Sequence, residues 1–361
     1  MHIAIDIREA VKPKKTGKGW YAFEMTKNLL TQHPEDTFTL YTDQPYPEWE
    51  HFSNATQQFF PPSALRWHFK VTRDLKKLKP DIFFAPTSFI IAALAPKSQN
   101  VIVTVHDLVA WLYATHHNLK ATIIERLTLP LAIKNIKKFV TVSQNTKRDL
   151  QHFFKIPSEK IEIVPCAASE NFKPATENAK KQENTSYFLA VGTLEPRKNF
   201  ITLIKAFAEI AKKHPEYSLN IIGGKGWYFE KIFATVRDLK LENSVHFLGY
   251  IDDKDLPSHY QHATALVFPS LYEGFGIPPL EAMKSGCPVI ASNTSSIPEV
   301  VGDAALLVDP SSAPELTQAM LRVIKEPELR DKLRKKGLIQ AEKFSWSASA
   351  KKLYQMMKST V

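Results

Sequence analysis

Cysteine is scarce in this chain. Only Cys166 and Cys287 occur among 361 residues, far apart and each in an apolar setting. That excludes a disulfide framework and fits a reducing compartment. Long hydrophobic runs are missing too: Phe89-Ile90-Ile91-Ala92-Ala93-Leu94-Ala95 is the longest, far short of the roughly 18 to 20 residues of a spanning helix. Met1-His2-Ile3-Ala4-Ile5-Asp6 enters a strand pattern at once, without the basic and apolar regions of a leader. The expectation is a cytoplasmic protein, soluble or peripheral at the inner face of the plasma membrane. No low-complexity tract, short-period repeat or His/Cys ligand cluster is present, so no metal is expected. Gly17-Lys18-Gly19 follows the first strand but lacks the third glycine of a dinucleotide fingerprint, which excludes that reading.

What is present is globular: 44% hydrophobic and 23% charged residues, in a chain long enough for two domains. The formal net charge is +10, and lysines cluster in the first half at Lys12-Pro13-Lys14-Lys15, Lys76-Lys77-Leu78-Lys79 and Lys134 to Lys138. Such a balance attracts nucleic acid, anionic lipid or phosphorylated substrates; solvated helix faces are the plainer reading. Leu65 to Lys77 mixes bases with large apolar groups and suits either a lipid surface or a core-packing helix. Aromatic-basic interleaving on a nucleic-acid-reading surface is not found, so no nucleic-acid partner is expected.

Short β-branched runs alternate with helical segments, which predicts an α/β protein with parallel sheets. In the first half, strands are expected near 3–7, 37–41, 82–85, 101–105, 139–142 and 161–164, with helices near 20–30 and 123–135 between them. Pro174 to Ser186 lacks large apolar groups and reads as a surface connection between domains. A second alternation follows, with strands near 187–191, 219–222, 246–248, 266–268, 289–291 and 305–308. The architecture is then two doubly wound domains facing across a cleft, with ligands at the carboxyl ends of the strands. The domains span 1–173 and 174–344.

Glu273-Gly274-Phe275-Gly276-Ile277-Pro278-Pro279-Leu280-Glu281 joins an apolar strand to a short helix. Glycines admit close backbone approach and a helix N-terminus favours an anion, so the segment suits a sugar-phosphate ligand. Each carboxylate can accept from a vicinal diol. Helix-dipole stabilisation is an alternative use of Glu281. Glu195-Pro196-Arg197-Lys198-Asn199, after the second half's first strand, offers two cations for a pyrophosphate. His106-Asp107 ends another strand. His116-His117 reads as surface. Asp253-Lys254-Asp255 has the form of a metal-binding Asp-x-Asp, but its place before Leu256-Pro257 reads as helix N-capping.

The Glu273–Glu281 segment, continued through Glu281-Ala-Met-Lys-Ser-Gly-Cys-Pro-Val-Ile, Ser295 to Gly302 and Asp303 to Pro310, resembles the Glu-x7-Glu signature of retaining GT-B glycosyltransferases of family four. The first glycine loop, the His-Asp and the Glu-Pro-Arg-Lys-Asn loop fall in that family's order, so the resemblance covers nearly the whole chain. It implies that Glu281 holds ribose hydroxyls. Glu273 and the backbone of Gly274, Phe275, Gly276 and Ile277 hold the sugar and its phosphate. Gly17 and Gly19 face the donor phosphate, and His106 orients the sugar. Lys198 matches the family lysine, while Thr193 stands where the family commonly has arginine; Arg197 is the candidate to supply that charge. The Gly223-Gly224-Lys225-Gly226 turn and His246 to Tyr250 would lie by the nucleotide and its base. The tail from about 345 to 361 resembles the final helix that packs back on the N-terminal, acceptor-side domain.

The implied activity is retaining, metal-independent transfer of a hexose from a nucleotide sugar, without a cofactor. The spellings of the two signature loops resemble α-mannosyltransferases of bacterial surface polysaccharides. They favour GDP-mannose as donor and a saccharide or lipid-linked saccharide as acceptor. A UDP-sugar transferase, a sugar phosphorylase of related fold and an inactive nucleotide-sugar-binding partner are the alternatives.

Overall fold

The computed structural model describes residues 1–113, 118–175 and 186–361. His116, His117 and residues 176–185 of the expected connection lie outside them. Packing divides the chain into two compact units. The first comprises Met1–Leu112, Leu119–Cys166 and Ser345–Val361; the second comprises Ala167–Phe344 with Tyr113 and Asn118.

The first unit is built on seven strands: β1 (His2–Asp6), β2 (Thr37–Thr42), β3 (Ala55–Phe59), β4 (Ile82–Ala85), β5 (Val101–Val105), β6 (Ile136–Thr141) and β7 (Ile161–Ile163). Their order is β3-β2-β1-β4-β5-β6-β7, and every pairing is parallel. Central strands such as β5, Val-Ile-Val-Thr-Val, are buried along their whole length, as a sheet covered on both faces demands. The exception explains an omission in the strand pattern. Strand β3, Ala-Thr-Gln-Gln-Phe, is a half-exposed edge and carries no continuous apolar run to detect.

Helix Ala64–Leu78 sets Trp67, Val71 and Leu75 into a core shared with Phe83, Val101 and Val103. These three lie on one face at a spacing of four, so its core-packing role is real. The last helix, Trp346–Lys358, completes this unit. Ser345 caps it by accepting from the Ala348 N–H. Trp346 meets Tyr21 edge-on at 5.9 Å, and the Ser349 hydroxyl donates to Pro165 O at 2.8 Å.

The second unit contains β8 (Ser186–Val191), β9 (Tyr217–Ile222), β10 (Val245–Gly249), β11 (Ala265–Phe268), β12 (Val289–Ser292) and β13 (Leu306–Val308), in the order β10-β9-β8-β11-β12-β13. These too are parallel throughout. Helices Phe200–Lys213 and Ala313–Lys325 bury Leu203, Phe207, Leu316 and Met320 in its core.

Residues 167–173, placed with the first domain from sequence, pack in this second unit. Phe172 meets Tyr260 edge-on at 5.8 Å, Glu170 pairs with Lys284 at 2.7 Å, and Gln261 donates to Lys173 O. Those partners lie about a hundred residues away, so composition alone does not mark the boundary.

Candidate active site

In a doubly wound sheet the crevice forms where strand order reverses, outside the carboxyl ends. In the second unit that point lies between β8 and β11. The loop after β8 delivers Arg197 and Lys198; the loop after β11 delivers Glu273.

Three strand ends are knitted together there. Gly192 N–H donates to Ile222 O, Gly223 N–H to Gly249 O, and Leu194 N–H to Gly224 O. Gly223 has φ +152°, and a Cβ on it would stand 1.9 Å from Gly192 O, so any side chain there would force the strand ends apart. Asn199 adopts a left-handed φ of 59°. Its amide donates to Pro269 O at 3.1 Å and Pro310 O at 2.6 Å, while Leu271 N–H donates to Arg197 O. These bonds lock the β8 loop to the loops after β11 and β13.

The result is a compact ionic cluster. Glu273 accepts from Lys198 Nζ at 2.6 Å and from Arg197 Nη1 at 2.8 Å; Arg197 Nη2 pairs with the buried Glu195 at 2.6 Å. Arg197 Nη1 also donates to Tyr272 O at 2.7 Å. Burial pushes the Glu273 carboxyl up, but the two facing cations outweigh it and hold it below the usual carboxylate range. Burial lowers the Lys198 ammonium, and Arg197 adds to that lowering against the attraction of Glu273. The directions are compatible, because Glu273 faces two cations while Lys198 shares one carboxylate with a neighbouring guanidinium.

The rest of the glycine loop is held from behind. Glu273 N–H donates to Ser295 Oγ at 3.0 Å, and the single Ser296 hydroxyl proton is shared between Glu273 O at 2.9 Å and Phe275 O at 2.7 Å. Gly276 has φ +116°, and a Cβ there would approach Ile297 Cδ1 to 2.7 Å. Gly274 is buried; Phe275 is also buried and meets Phe344 edge-on. Ile277 opens helix Ile277–Lys284.

Glu281 lies beyond the first turn of that helix, so stabilisation by the helix dipole is not its use. It accepts from the Tyr260 hydroxyl at 2.8 Å. Burial pushes the Glu281 carboxyl up to about 7; the Tyr260 bond pulls it down, and Asp253 pushes it further up. Thr193 is exposed on the β8 loop.

In the first unit the strand order reverses between β1 and β4. Gly17 opens helix Gly17–Gln32, which follows β1. Gly19 is buried where a Cβ would meet Glu9 O at 2.8 Å, so its role in this unit is close packing. His106, at the end of β5, is buried. Its Nε2–H donates to Pro86 O at 2.7 Å, and Tyr21 meets it edge-on at 4.8 Å. Burial, with Lys18 adding to it, lowers the imidazole to about 4 against the Pro86 bond and Asp107. The ring is neutral at physiological pH, with Nδ1 as an acceptor.

One expectation needs correction. Asp255 occupies the N-cap of helix Leu256–His262, but its backbone is αR and its side chain makes no cap bond. Backbone bonds from Asp255 and Leu256 N–H to Asp252 O shape the turn instead. Sequence reasoning also gave no role to Glu195, Ser295, Ser296 or Tyr260. Glu195, in the same short loop as Arg197, was the accessible signal; Tyr260 is 21 positions from Glu281 and had none.

Two family profiles divide the chain between them: Glycosyltransferase Family 4 over residues 17–171 and Glycosyl transferases group 1 over residues 171–339. The O-antigen chain mannosyltransferase B of Escherichia coli is 31% identical over 280 residues, covering 75% of this chain and 72% of that protein. The chain belongs to the group 1 glycosyl transferases. This glycosyltransferase is also 33% identical over 235 residues to the O-antigen chain mannosyltransferase RfbU of Salmonella typhimurium, covering 64% of the chain and 63% of RfbU. HepE of Anabaena, solved with UDP and glucose, shares 18% identity, with a TM-score of 0.81 over 99% of this chain and 100% of that one. The fold of the glycosyltransferase is GT-B.

Proposed function

We propose that the chain transfers mannose, with retention, from GDP-mannose to a lipid-linked saccharide in cell-surface polysaccharide synthesis. The reading rests above all on Arg197 and Lys198 gripping Glu273 at the reversal point of the second sheet. A nucleoside diphosphate leaves with concentrated negative charge, and two fixed cations stabilise that charge without a metal. A diphosphate reaching these cations competes with Glu273 for them, and the released carboxylate then accepts from sugar hydroxyls. Glu281 accepts from ribose hydroxyls, and His106 accepts through Nδ1 from the sugar. Attack occurs on the front face, with the departing phosphate taking the acceptor's proton. Mannose is supported by the names of the two O-antigen relatives.

A UDP-sugar donor is the second reading, favoured by the UDP and glucose in HepE. The test is a thermal shift with GDP, UDP, ADP and TDP, followed by turnover of the matching sugar donor with a chelator present. A ligand at about 100 times its dissociation constant adds roughly 2.7 kcal/mol. A GDP-specific shift and an α-mannoside product are expected. A UDP-specific shift overturns the donor, an inverted product overturns retention, and loss of turnover on chelation overturns metal independence.

A further inference from the structure

The ends of β1 and β8 carry the same pairing. Asp6 ends β1 and Arg8 stands two residues on. Arg8 Nη2 pairs with Asp6 Oδ2 at 2.7 Å, and Arg8 Nε donates to Asp6 Oδ1 at 3.0 Å. Glu195 and Arg197 stand in the same relation after β8, at 2.6 Å. Each acid is buried, and each pair lies where its sheet reverses strand order. A guanidinium forked on a fixed carboxylate is a rigid donor.

Arg8 is held on two further sides. Its guanidinium carbon lies 3.7 Å from the Trp67 ring centroid, and Nη1 donates to His68 Nε2 at 3.1 Å. Because arginine only donates, His68 carries its proton on Nδ1. Burial would lower the Arg8 guanidinium, but Asp6, then Asp43 and Glu9, outweigh it and raise it. Arg8 therefore stays charged although its side chain is only 17% exposed.

The two units differ in what completes the pair. In the second, Glu273 and Tyr272 O take up Arg197 Nη1. In the first, one N–H on each of Nη1 and Nη2 of Arg8 makes no bond among the described residues. Strand β2 lies beside β1 with Tyr41 opposite Asp6, so Asp43 and Arg8 leave neighbouring strand ends. Asp43 is half-buried, and among the described residues it accepts no hydrogen bond and forms no ion pair. A directed donor edge beside an open acceptor suits a neutral diol: one hydroxyl accepts from Arg8 and its neighbour donates to Asp43. An anion is disfavoured, because Asp6 and Asp43 together outweigh the one cation.

We propose that Arg8 and Asp43 hold the acceptor of the transfer by a pair of hydroxyls on its terminal sugar. Doubly wound sheets bind ligands outside the carboxyl ends at the reversal point. The donor residues occupy that point in the second unit, and these residues occupy it in the first. The assignment rests on the saccharide acceptor proposed above and names the residues that select it. A site built to hydrogen-bond hydroxyls rejects a ring that lacks or inverts them.

The experiment is saturation-transfer difference NMR of the full chain with the methyl α-glycosides of mannose, glucose and galactose, without nucleotide. At least one glycoside should bind. Asp43→Ala breaks no bond within the described chain. It should weaken that binding at least about tenfold at unchanged melting temperature, the scale of one hydrogen bond to a charged group. Arg8→Lys keeps the charge beside Asp6 but loses the second N–H edge, and should weaken binding as much. In transfer to the bound glycoside, Asp43→Ala should raise the acceptor KM and leave the donor KM unchanged. Absence of binding by all three glycosides overturns the proposal, as does unchanged binding in both variants. So does displacement of the glycoside by inorganic phosphate, because the cluster would then take an anion. Equal rises in the donor and acceptor KM overturn it too, since the cluster would then act on the fold of the unit. Failure of the nucleotide thermal shift counts against the donor reading alone, because the glycosides are read without nucleotide.

Discussion

Lys198 Nζ lies 2.6 Å from Glu273 Oε1 although the two residues are 75 positions apart. Arg197 takes the other carboxylate oxygen at 2.8 Å, so one acid bridges two adjacent cations. The loops after β8 and β11 are thereby joined at the point where donor chemistry is expected.

Removing one member of this cluster separates its two roles. Lys198→Ala should lower transfer at least about 100-fold, the scale of a lost transition-state contact. Glu273→Gln should also lower it, and should cost up to about 3 kcal/mol of stability by taking the negative charge away from the nearly buried Lys198 and Arg197. Nucleotide release and urea midpoints measure the two effects. Near-parental turnover in both variants would remove the cluster from the mechanism.

Glu281 makes the site pH-dependent. Its carboxyl stands at about 7 when folded, above the usual range of an unfolded glutamate. Its contribution to stability is therefore full at acid pH and is lost as pH rises through about 7. Glu281→Gln should match the parent near pH 4 and exceed it at pH 8 by on the order of 2–3 kcal/mol. Nucleoside diphosphate affinity should fall as pH drops through 7, because the charged carboxylate is the stronger acceptor. Tyr260→Phe should move that midpoint upward. Urea midpoints at pH 4 and pH 8 read the first, a calorimetric titration series at several pH values reads the other two, and a flat parental profile would contradict the assignment.

His106 is neutral where the enzyme works, its ring held at about 4. His106→Ala should lower kcat at least about tenfold, the scale of one lost hydrogen bond. The ratio of variant to parent should stay constant between about pH 5 and 8, since the ring does not titrate there. A ratio that varied with pH would mean that the imidazole changes charge during turnover.

Gly223→Ala should be among the most damaging single methyl additions. The added carbon would stand 1.9 Å from Gly192 O, so the β8 and β9 ends must part. A loss of roughly 2–3 kcal/mol is expected from the strain, read as a lowered urea midpoint at unchanged slope. An unshifted midpoint would show that the strand ends are not held this closely.

Much of the candidate site was legible because it is local. Glu273, Gly276 and Glu281 share one segment, and Arg197 and Lys198 another, and both follow apolar runs that become β11 and β8. The family resemblance placed them in order along the chain. Strand β3 was missed because an edge strand of Ala-Thr-Gln-Gln-Phe has no buried run. The residues 167–173 were misassigned because Phe172 and Glu170 are tied to Tyr260 and Lys284 by contacts that leave no trace in composition.

The sequence by itself determined the alternation of strands and helices, the two sheets, and the residue types at each strand end. These follow from periodicity and short-range chemistry. Only the tertiary structure decided that Glu273 is bound to both cations, that Tyr260 holds Glu281, and that His106 donates to Pro86 and stays neutral. Charge state and exposure depend on which distant groups come within a few ångströms and how much water is displaced, and that is a property of packing.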